Sequence, residues 1–296
     1  MLSPVVCHLG PLQVRWYGIF AALAVLASYL LAARRAPKYG LTRNDAADLL
    51  ITCVVVGLVG ARLEYVRRFW SLYFADDWAG VLRVWEGGLV FQGGFLLVLP
   101  VLWLMCRRRR WRPGDIGDLM APVLPAGHAI ARIGCLLNGC CFGRPWDGPL
   151  AVAYPVGAND VLLCQIANGY LPEDAAAPLP VFPVQLLEAL MCLAIAGVVW
   201  LLERRGRLRH QRFTLYMLLY ALGRFCVEFL RGDYRRQGGL TPAQTTSAAV
   251  VLPLTAAVIL WSLWRRGREA AAPAAPEAAP PTKDSHERRR DKRKRH

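Results

Sequence analysis

The stretch Leu218-Leu-Tyr220-Ala-Leu-Gly223-Arg224-Phe-Cys-Val-Glu228-Phe229 is apolar enough to lie in hydrocarbon, yet it carries an arginine at its centre. A second stretch, Ala129-Ile-Ala-Arg132-Ile-Gly-Cys135-Leu-Leu-Asn138-Gly-Cys-Cys-Phe-Gly143, does the same around Arg132. A guanidinium in hydrocarbon costs from about 3 to more than ~10 kcal/mol, so such residues face a polar cavity, a partner or an anionic ligand. The two arginines therefore mark a membrane fold and a candidate site inside it.

The surrounding composition agrees. Hydrophobic residues make up 55% of the chain, mean hydropathy is +0.30, and apolar residues fall in long blocks, not at the amphipathic spacing of a soluble core. The blocks run from Tyr17 to Ala33, Leu49 to Tyr65, Gly88 to Cys106, Ile116 to Leu137, Val184 to Leu202, Phe213 to Leu230 and Ala243 to Trp264. Most approach the ~20 residues needed to cross a bilayer. They predict an all-α polytopic membrane protein with about seven transmembrane helices. Asp118, Pro122, Pro125, His128 and Arg132 interrupt the fourth block, which predicts a bent helix or one lining a polar cavity.

The net charge of +15 resolves into topology. Segments 34–43, 106–113 and 203–212 and the tail from Arg265 hold 25 of the 36 Lys and Arg residues, on alternate sides of successive blocks. The positive-inside rule then places the N-terminus outside and the C-terminus in the cytoplasm. The longest external loop, 144–182, has one arginine against Asp147, Asp160, Glu173 and Asp174. The charge thus reports membrane insertion, and no nucleic acid is expected as a partner. Met1 to Arg15 has neither a basic start nor a set-off cleavage site, so no removable signal peptide is expected. Residues 1–268 form the expected membrane domain. Residues 269–296, Ala/Pro-rich and then polybasic from Arg288 to Arg295, are expected to be a disordered cytoplasmic tail that reinforces topology or binds anionic headgroups.

Of nine cysteines, Cys7, Cys53, Cys106, Cys164, Cys192 and Cys226 are scattered and read as small hydrophobes. Cys135, Cys140 and Cys141 cluster, but C-x4-C-C is not a usual zinc spacing. Adjacent cysteines point apart unless the backbone turns sharply. Packing is the favoured reading there, with a Cys135–Cys140 disulfide as the alternative.

Given this topology, polar residues gather toward the outer leaflet. They are Arg15, Trp16 and Tyr17 in the first block, Arg62, Glu64 and Tyr65 in the second, and Trp85, Glu86 and Gln92 around the third. Arg132 and Asn138 follow in the fourth, Gln185 and Glu188 in the fifth, and Arg224, Glu228 and Arg231 in the sixth. Each has a plainer reading. The aromatics suit an interfacial belt, Arg231, Arg235 and Arg236 suit snorkelling to headgroups, and Arg62 with Glu64 or Arg224 with Glu228 suit internal ion pairs. Their convergence favours a pocket for a substrate that is part lipid and part anionic headgroup.

Seven ordered motifs carry a resemblance that runs from about Leu9 to Trp264. They are Gly10-Pro-Leu-Gln-Val-Arg-Trp16-Tyr17-Gly18, Gly60-Ala-Arg62-Leu-Glu-Tyr65-Val66 and Val84-Trp-Glu-Gly-Gly-Leu-Val-Phe-Gln92-Gly-Gly94. Asp118-Leu-Met-Ala-Pro122 follows, then Ala131-Arg132-Ile-Gly134 with Asn138-Gly139 and Gly143-Arg144. Phe182-Pro183-Val-Gln185-Leu-Leu-Glu188 and the group Tyr220, Gly223-Arg224-Phe225 and Glu228-Phe-Leu-Arg231 complete the series. The chain resembles the bacterial prolipoprotein diacylglyceryl transferases.

That resemblance implies transfer of the diacylglyceryl group of phosphatidylglycerol to the lipobox cysteine of a preprolipoprotein signal peptide, forming a thioether and releasing glycerol phosphate. It implies a multi-pass protein of the bacterial plasma (inner) membrane, in contact with membrane lipid, with neither metal nor organic cofactor. Arg224, Tyr220 and Gln92 stand at the catalytic positions. Arg132 is the expected phosphate clamp, with Tyr17, Asn138, Glu228 and Arg231 as further phosphatidylglycerol-binding residues. The nucleophile belongs to the lipoprotein. The chain departs from the family pattern at Gln92 and Phe182, where histidine is usual, at Cys135 for Asn, Cys140 for Glu and Leu187 for Tyr. Gln92 cannot take a proton, so the protein must use another group, rely on prior ionisation of the thiol, or catalyse poorly. The alternatives are a noncatalytic relative that binds lipid or signal peptide and, less favoured, a small-solute transporter, for which matching inverted halves are missing.

Overall fold

The computed structural model describes residues 4–9, 12–75, 77–84, 87–156, 159–233 and 239–271. Trp85, Glu86, Arg235 and Arg236 lie outside them, as does the expected tail beyond Ala271. One departure from an all-helical chain comes first. Strands β1 (Val5–Leu9) and β2 (Leu12–Arg15) form an antiparallel hairpin that leads into α1 (Trp16–Arg35). The helices α2 (Arg43–Phe69), α3 (Phe91–Arg109), α4 (Pro113–Met120) and α5 (Val123–Asn138) follow. Then come α6 (Asn159–Ala167), α7 (Val184–Arg204), α8 (Arg212–Val227), α9 (Pro242–Thr246) and α10 (Leu252–Ala271). Two compact units divide the chain, Met1–Ala256 and Ala257–His296.

Among the described residues, six helical runs are long and apolar enough to cross a membrane: Trp16–Tyr39, Arg43–Phe74, Pro113–Asn138, Val184–Arg204, Arg212–Leu230 and Ala243–Leu260. They carry six of the seven expected blocks. The other block falls on α3, a 19-residue helix that contains Pro100 and ends in three arginines. The fourth block is bent as expected, with a turn at Ala121–Pro122 separating α4 from α5. Pro122 lacks a backbone donor, which favours the break there.

The bundle is apolar outside and polar within. On α7, Leu190 is 64% exposed while Gln185 and Glu188 are 0% and 1% exposed, a pattern suited to surrounding lipid and costly in water. Small residues set the helix spacing. The backbones of α2 and α3 touch at Gly60 and Gly93, where an added Cβ on Gly60 would lie 2.5 Å from the Gly93 carbonyl oxygen. On α5, a Cβ on Gly134 would lie 2.6 Å from Phe20 Cβ and 3.5 Å from Tyr17 Cα, so α1 packs directly along this helix.

The basic connectors meet at one end. Arg35 pairs with Glu203 at 2.6 Å, and Arg109 bridges Asp45 and Asp48 at 3.0 and 2.6 Å. A Thr42–Asp45 capping box starts α2. Arg107 over Trp103 and Arg204 over Trp200 add cation–π contacts at 4.4 and 4.0 Å. At the centre, the fully buried Asp118 accepts from the backbone of His210 at 2.6 Å and of Arg212 at 3.1 Å, and from Arg212 Nη1 at 3.1 Å. This carboxylate ties α4 to the start of α8.

At the opposite end, residues 142–156 and 159–182 form a small cap. Phe142, Tyr154, Val161 and Val181 make its core, and single bridges join Gly143 to Arg231 and Val152 to Val181. Because Asp118 holds a buried guanidinium and two backbone donors, Asp118→Ala should cost about 3–5 kcal/mol. It should lower the melting temperature in detergent, with Asp118→Asn less affected; equal melting of Asp118→Ala and the parent would remove this role.

Candidate active site

Three helices present one polar face to one another. His128, Arg132 and Cys135 stand at i, i+4 and i+7 of α5, Gln185, Glu188 and Cys192 at i, i+3 and i+7 of α7, and Tyr220 and Arg224 at i, i+4 of α8. Glu188 is the hub. Its Oε2 lies 2.7 Å from Arg132 Nε, and its Oε1 lies 3.3 Å from Arg224 Nη1 and 3.9 Å from Arg231 Nη1. Glu228, just past α8, approaches Arg224 Nη1 at 2.5 Å and accepts from Thr241 Oγ1 at 2.7 Å. Arg231 is gripped through two nitrogens by Asp233. Three guanidiniums thus face three carboxylates, which lowers the cost of enclosing any one charge.

The arginines differ in what they leave open. Arg132 uses Nε for Glu188 and also donates through it to His128 Nε2 at 3.0 Å. Among the described residues no hydrogen bond engages its two Nη groups, the edge a phosphate takes in bidentate fashion. Arg224 makes its closest approach to both Glu188 and Glu228 through Nη1, with side-chain exposure of 11% against 13% for Arg132. Arg231 lies deeper at 4%. The His128 ring packs on Tyr220, 5.3 Å between centroids, with Nε2 placed as an acceptor.

A turn after α5 closes the site. Gly139 at φ +73° caps the helix, and Cys140 N donates to the Cys135 carbonyl at 3.2 Å. Tyr154 donates its hydroxyl to the Leu136 carbonyl, and Gln185 donates to the Cys140 carbonyl, both at 2.8 Å. Burial pushes the Tyr154 phenol above the ordinary tyrosine range, so it stays protonated as a donor. Asn138 Oδ1 is buried without a hydrogen-bond partner at the same helix end.

Comparison with known proteins matches this sequence to named relatives. A sequence profile described as prolipoprotein diacylglyceryl transferase matches residues 4–262. The chain belongs to the prolipoprotein diacylglyceryl transferase family. Proteins named phosphatidylglycerol–prolipoprotein diacylglyceryl transferase are similar to it at 33% identity. That of Paraburkholderia phymatum covers 91% of this chain and 96% of its own length, and that of Nitratidesulfovibrio vulgaris 93% and 97%. The Burkholderia thailandensis protein, also 33% identical, covers 92% and 98%.

Within this transferase family, the chain's expected site residues fall into two groups. Arg132, Arg224, Tyr220, Glu228 and Arg231 come together around Glu188, with Asn138 at the end of α5 and the half-exposed Tyr17 on the α1 turn that packs on Gly134. Gln92 does not join them. It is exposed on α3, which packs against α2, and forms no hydrogen bond among the described residues. Phe182 meets Trp146 edge-on at 5.9 Å, and its backbone carbonyl accepts from Gly143 N at 3.0 Å in the cap.

The Arg224–Glu228 pair exists, but Arg62 and Glu64 do not pair with each other. Arg62 donates to the carbonyls of Gly80, Val81, Arg83, Gly87 and Gly88 at 2.6–3.2 Å, shaping the loop before α3, while Glu64 takes Arg67 and Arg68 at 2.8 and 2.7 Å. In the sequence His128 reads only as an interruption of the fourth block, and Glu188 as one pocket-lining residue of a motif, not as the centre of the cluster. The i, i+4 spacing of His128 and Arg132 was the available signal; the contacts to Asp233 and Thr241 had none.

Glu188→Ala leaves guanidiniums facing one another and should cost about 3–5 kcal/mol. A double-mutant cycle with Arg132→Ala, read by unfolding in detergent, should give a coupling of at least about 1 kcal/mol; strict additivity would show that Glu188 does not hold Arg132.

Proposed function

We propose that this chain transfers the diacylglyceryl group of phosphatidylglycerol to the lipobox cysteine thiol of a prolipoprotein, at the outer leaflet of a bacterial inner membrane. The observation that carries the reading is the pair Arg132 and Arg224, which share the enclosed Glu188 while Glu228 holds Arg224 more closely. The topology behind it is seven spans, α3 included, with the N-terminus outside. Its support is the joining of the basic connectors at the bundle end opposite the site. Residues 1–268 then form the membrane transferase domain, and 269–296 the cytoplasmic tail.

The chemistry follows from where charge grows. The substrate sulfur attacks the glycerol carbon that bears the phosphate, a carbon–sulfur bond forms, and the carbon–oxygen bond to phosphorus breaks with its electron pair on oxygen. Arg132 takes the phosphate oxygens through its Nη groups, and Arg224 stabilises the same developing charge in a site of low dielectric. Both gain most in the transition state, which is what lowers a barrier. Glu188, Glu228 and Arg231 hold the pair in place. Asn138 and Tyr17 bind the headgroup and glycerol, and Tyr220 orients His128.

His128 is the base that Gln92 cannot be. Its Nε2 takes the thiol proton and passes it to the departing glycerol phosphate, which balances the reaction as a thioether plus glycerol phosphate. Gln92, on the α2–α3 hairpin, lines the approach.

Purified protein in detergent with labelled phosphatidylglycerol and a lipobox peptide provides the test. The parent should label the cysteine. Arg132→Ala should lose about 10²–10³-fold in rate, and His128→Ala about 10²–10⁴-fold, while Gln92→Ala keeps most of it. Full activity in Arg132→Ala would remove the clamp, and in His128→Ala the base. Lipid binding by the parent without label transfer would make the chain a noncatalytic relative.

A further inference from the structure

The turn after α5 does more than cap a helix. Cys135, Cys140 and Cys141 are free thiols whose sulfur atoms all lie within 4.8 Å of one another. Adjacent cysteines ordinarily diverge, and here the backbone reverses between them. Gly139 is left-handed at φ +73°, and Cys141 adopts φ +59°, a region a residue with a Cβ enters at a cost. The result is that two neighbouring thiols and one a helical turn earlier converge on one point.

That convergence is held from outside. Gln185, itself fully buried, pins the Cys140 carbonyl at 2.8 Å, and Tyr154 pins the Leu136 carbonyl at 2.8 Å. Such supporting bonds orient ligands around metal sites. Metal–sulfur bonds of ~2.3 Å put the sulfurs of a trigonal or tetrahedral set about 3.8–4.0 Å apart, inside the observed spread. Thiolates are soft ligands that select Cu(I) and zinc over hard cations. Three of them bound to a monovalent ion carry a net charge of −2.

We propose that Cys135, Cys140 and Cys141 form a three-thiolate site for a soft, thiophilic cation, best fitted by Cu(I), which three sulfurs can saturate. Zinc would need a fourth ligand from water. The trio borders the candidate active site, but its thiols take no part in the proposed transfer, in which the thiol comes from the substrate. Binding joins the α5 end to the cap loop by three bonds, beside the arginine cluster.

Full-length protein in detergent, reduced and freed of metal, is titrated anaerobically with Cu(I) against a chromophoric Cu(I) chelator. One equivalent should remain with the parent and be lost from Cys135→Ser/Cys140→Ser/Cys141→Ser. A second variant, with the other six cysteines replaced by alanine or serine and this trio kept, should still hold that equivalent, so a folding defect in the first variant cannot decide the result. Retention by the triple-serine variant overturns the proposal. Failure of both the parent and the trio-only variant to retain copper also overturns it, including the case where mass spectrometry finds a Cys135–Cys140 disulfide before reduction.

Discussion

Glu188 is 1% exposed, and its position constrains everything around it. A lone carboxylate in an apolar bundle costs many kcal/mol unless it is protonated or paired, and here its two oxygens serve different helices. Oε2 meets Arg132 on α5, and Oε1 meets Arg224 on α8. A shift of α7 relative to either neighbour would strand a charge on both sides of the gap. The ionic arrangement therefore fixes the register of three helices and the aim of two guanidiniums by the same contacts.

The rest of the bundle keeps that register from drifting. Lipid-facing leucines provide no strong reason for helices to associate, so close backbone contact and buried polar bonds must do it. The α1–α5 contact at Gly134 and the α2–α3 contact at Gly60 and Gly93 supply the first. The second is concentrated at the far end, where Asp118 binds α4 to α8 and Glu203 on α7 takes Arg35 of α1. Anchoring one end rigidly leaves the other end free to carry a polar site and a cap built from 142–156 and 159–182.

The helical blocks, the break at Pro122 and the membership in this family were legible because each is written locally, in hydropathy, proline chemistry or ordered motifs. The arginines announced themselves by their cost. Glu188 was visible as a residue but not as a hub, since its partners lie 36 to 56 residues away on the chain and only packing brings them to one carboxylate. The fate of Arg62 was less legible still. Its partners are backbone carbonyls of residues 80–88, and a carbonyl leaves no mark in sequence. The N-terminal hairpin escaped notice because five- and four-residue strands fall below the length at which alternation separates from chance.

In the proposed mechanism the base is His128 on α5 and not position 92 on α3, and the contact of His128 with Arg132 then ties proton transfer to lipid binding. A base on α3 would be independent of the phosphate clamp, because α3 packs on α2 and not on the arginine cluster. His128 is different, since its Nε2 accepts from the Nε of Arg132 itself. While that bond stands, the lone pair needed for a proton is occupied. On that proposal, a phosphate drawing Arg132 toward its Nη groups would lengthen the bond to His128 and free Nε2, so that lipid engagement and base activation would become one event. The order this imposes, lipid first and thiol deprotonation second, protects the substrate cysteine from ionising in a low-dielectric site before there is a carbon for it to attack.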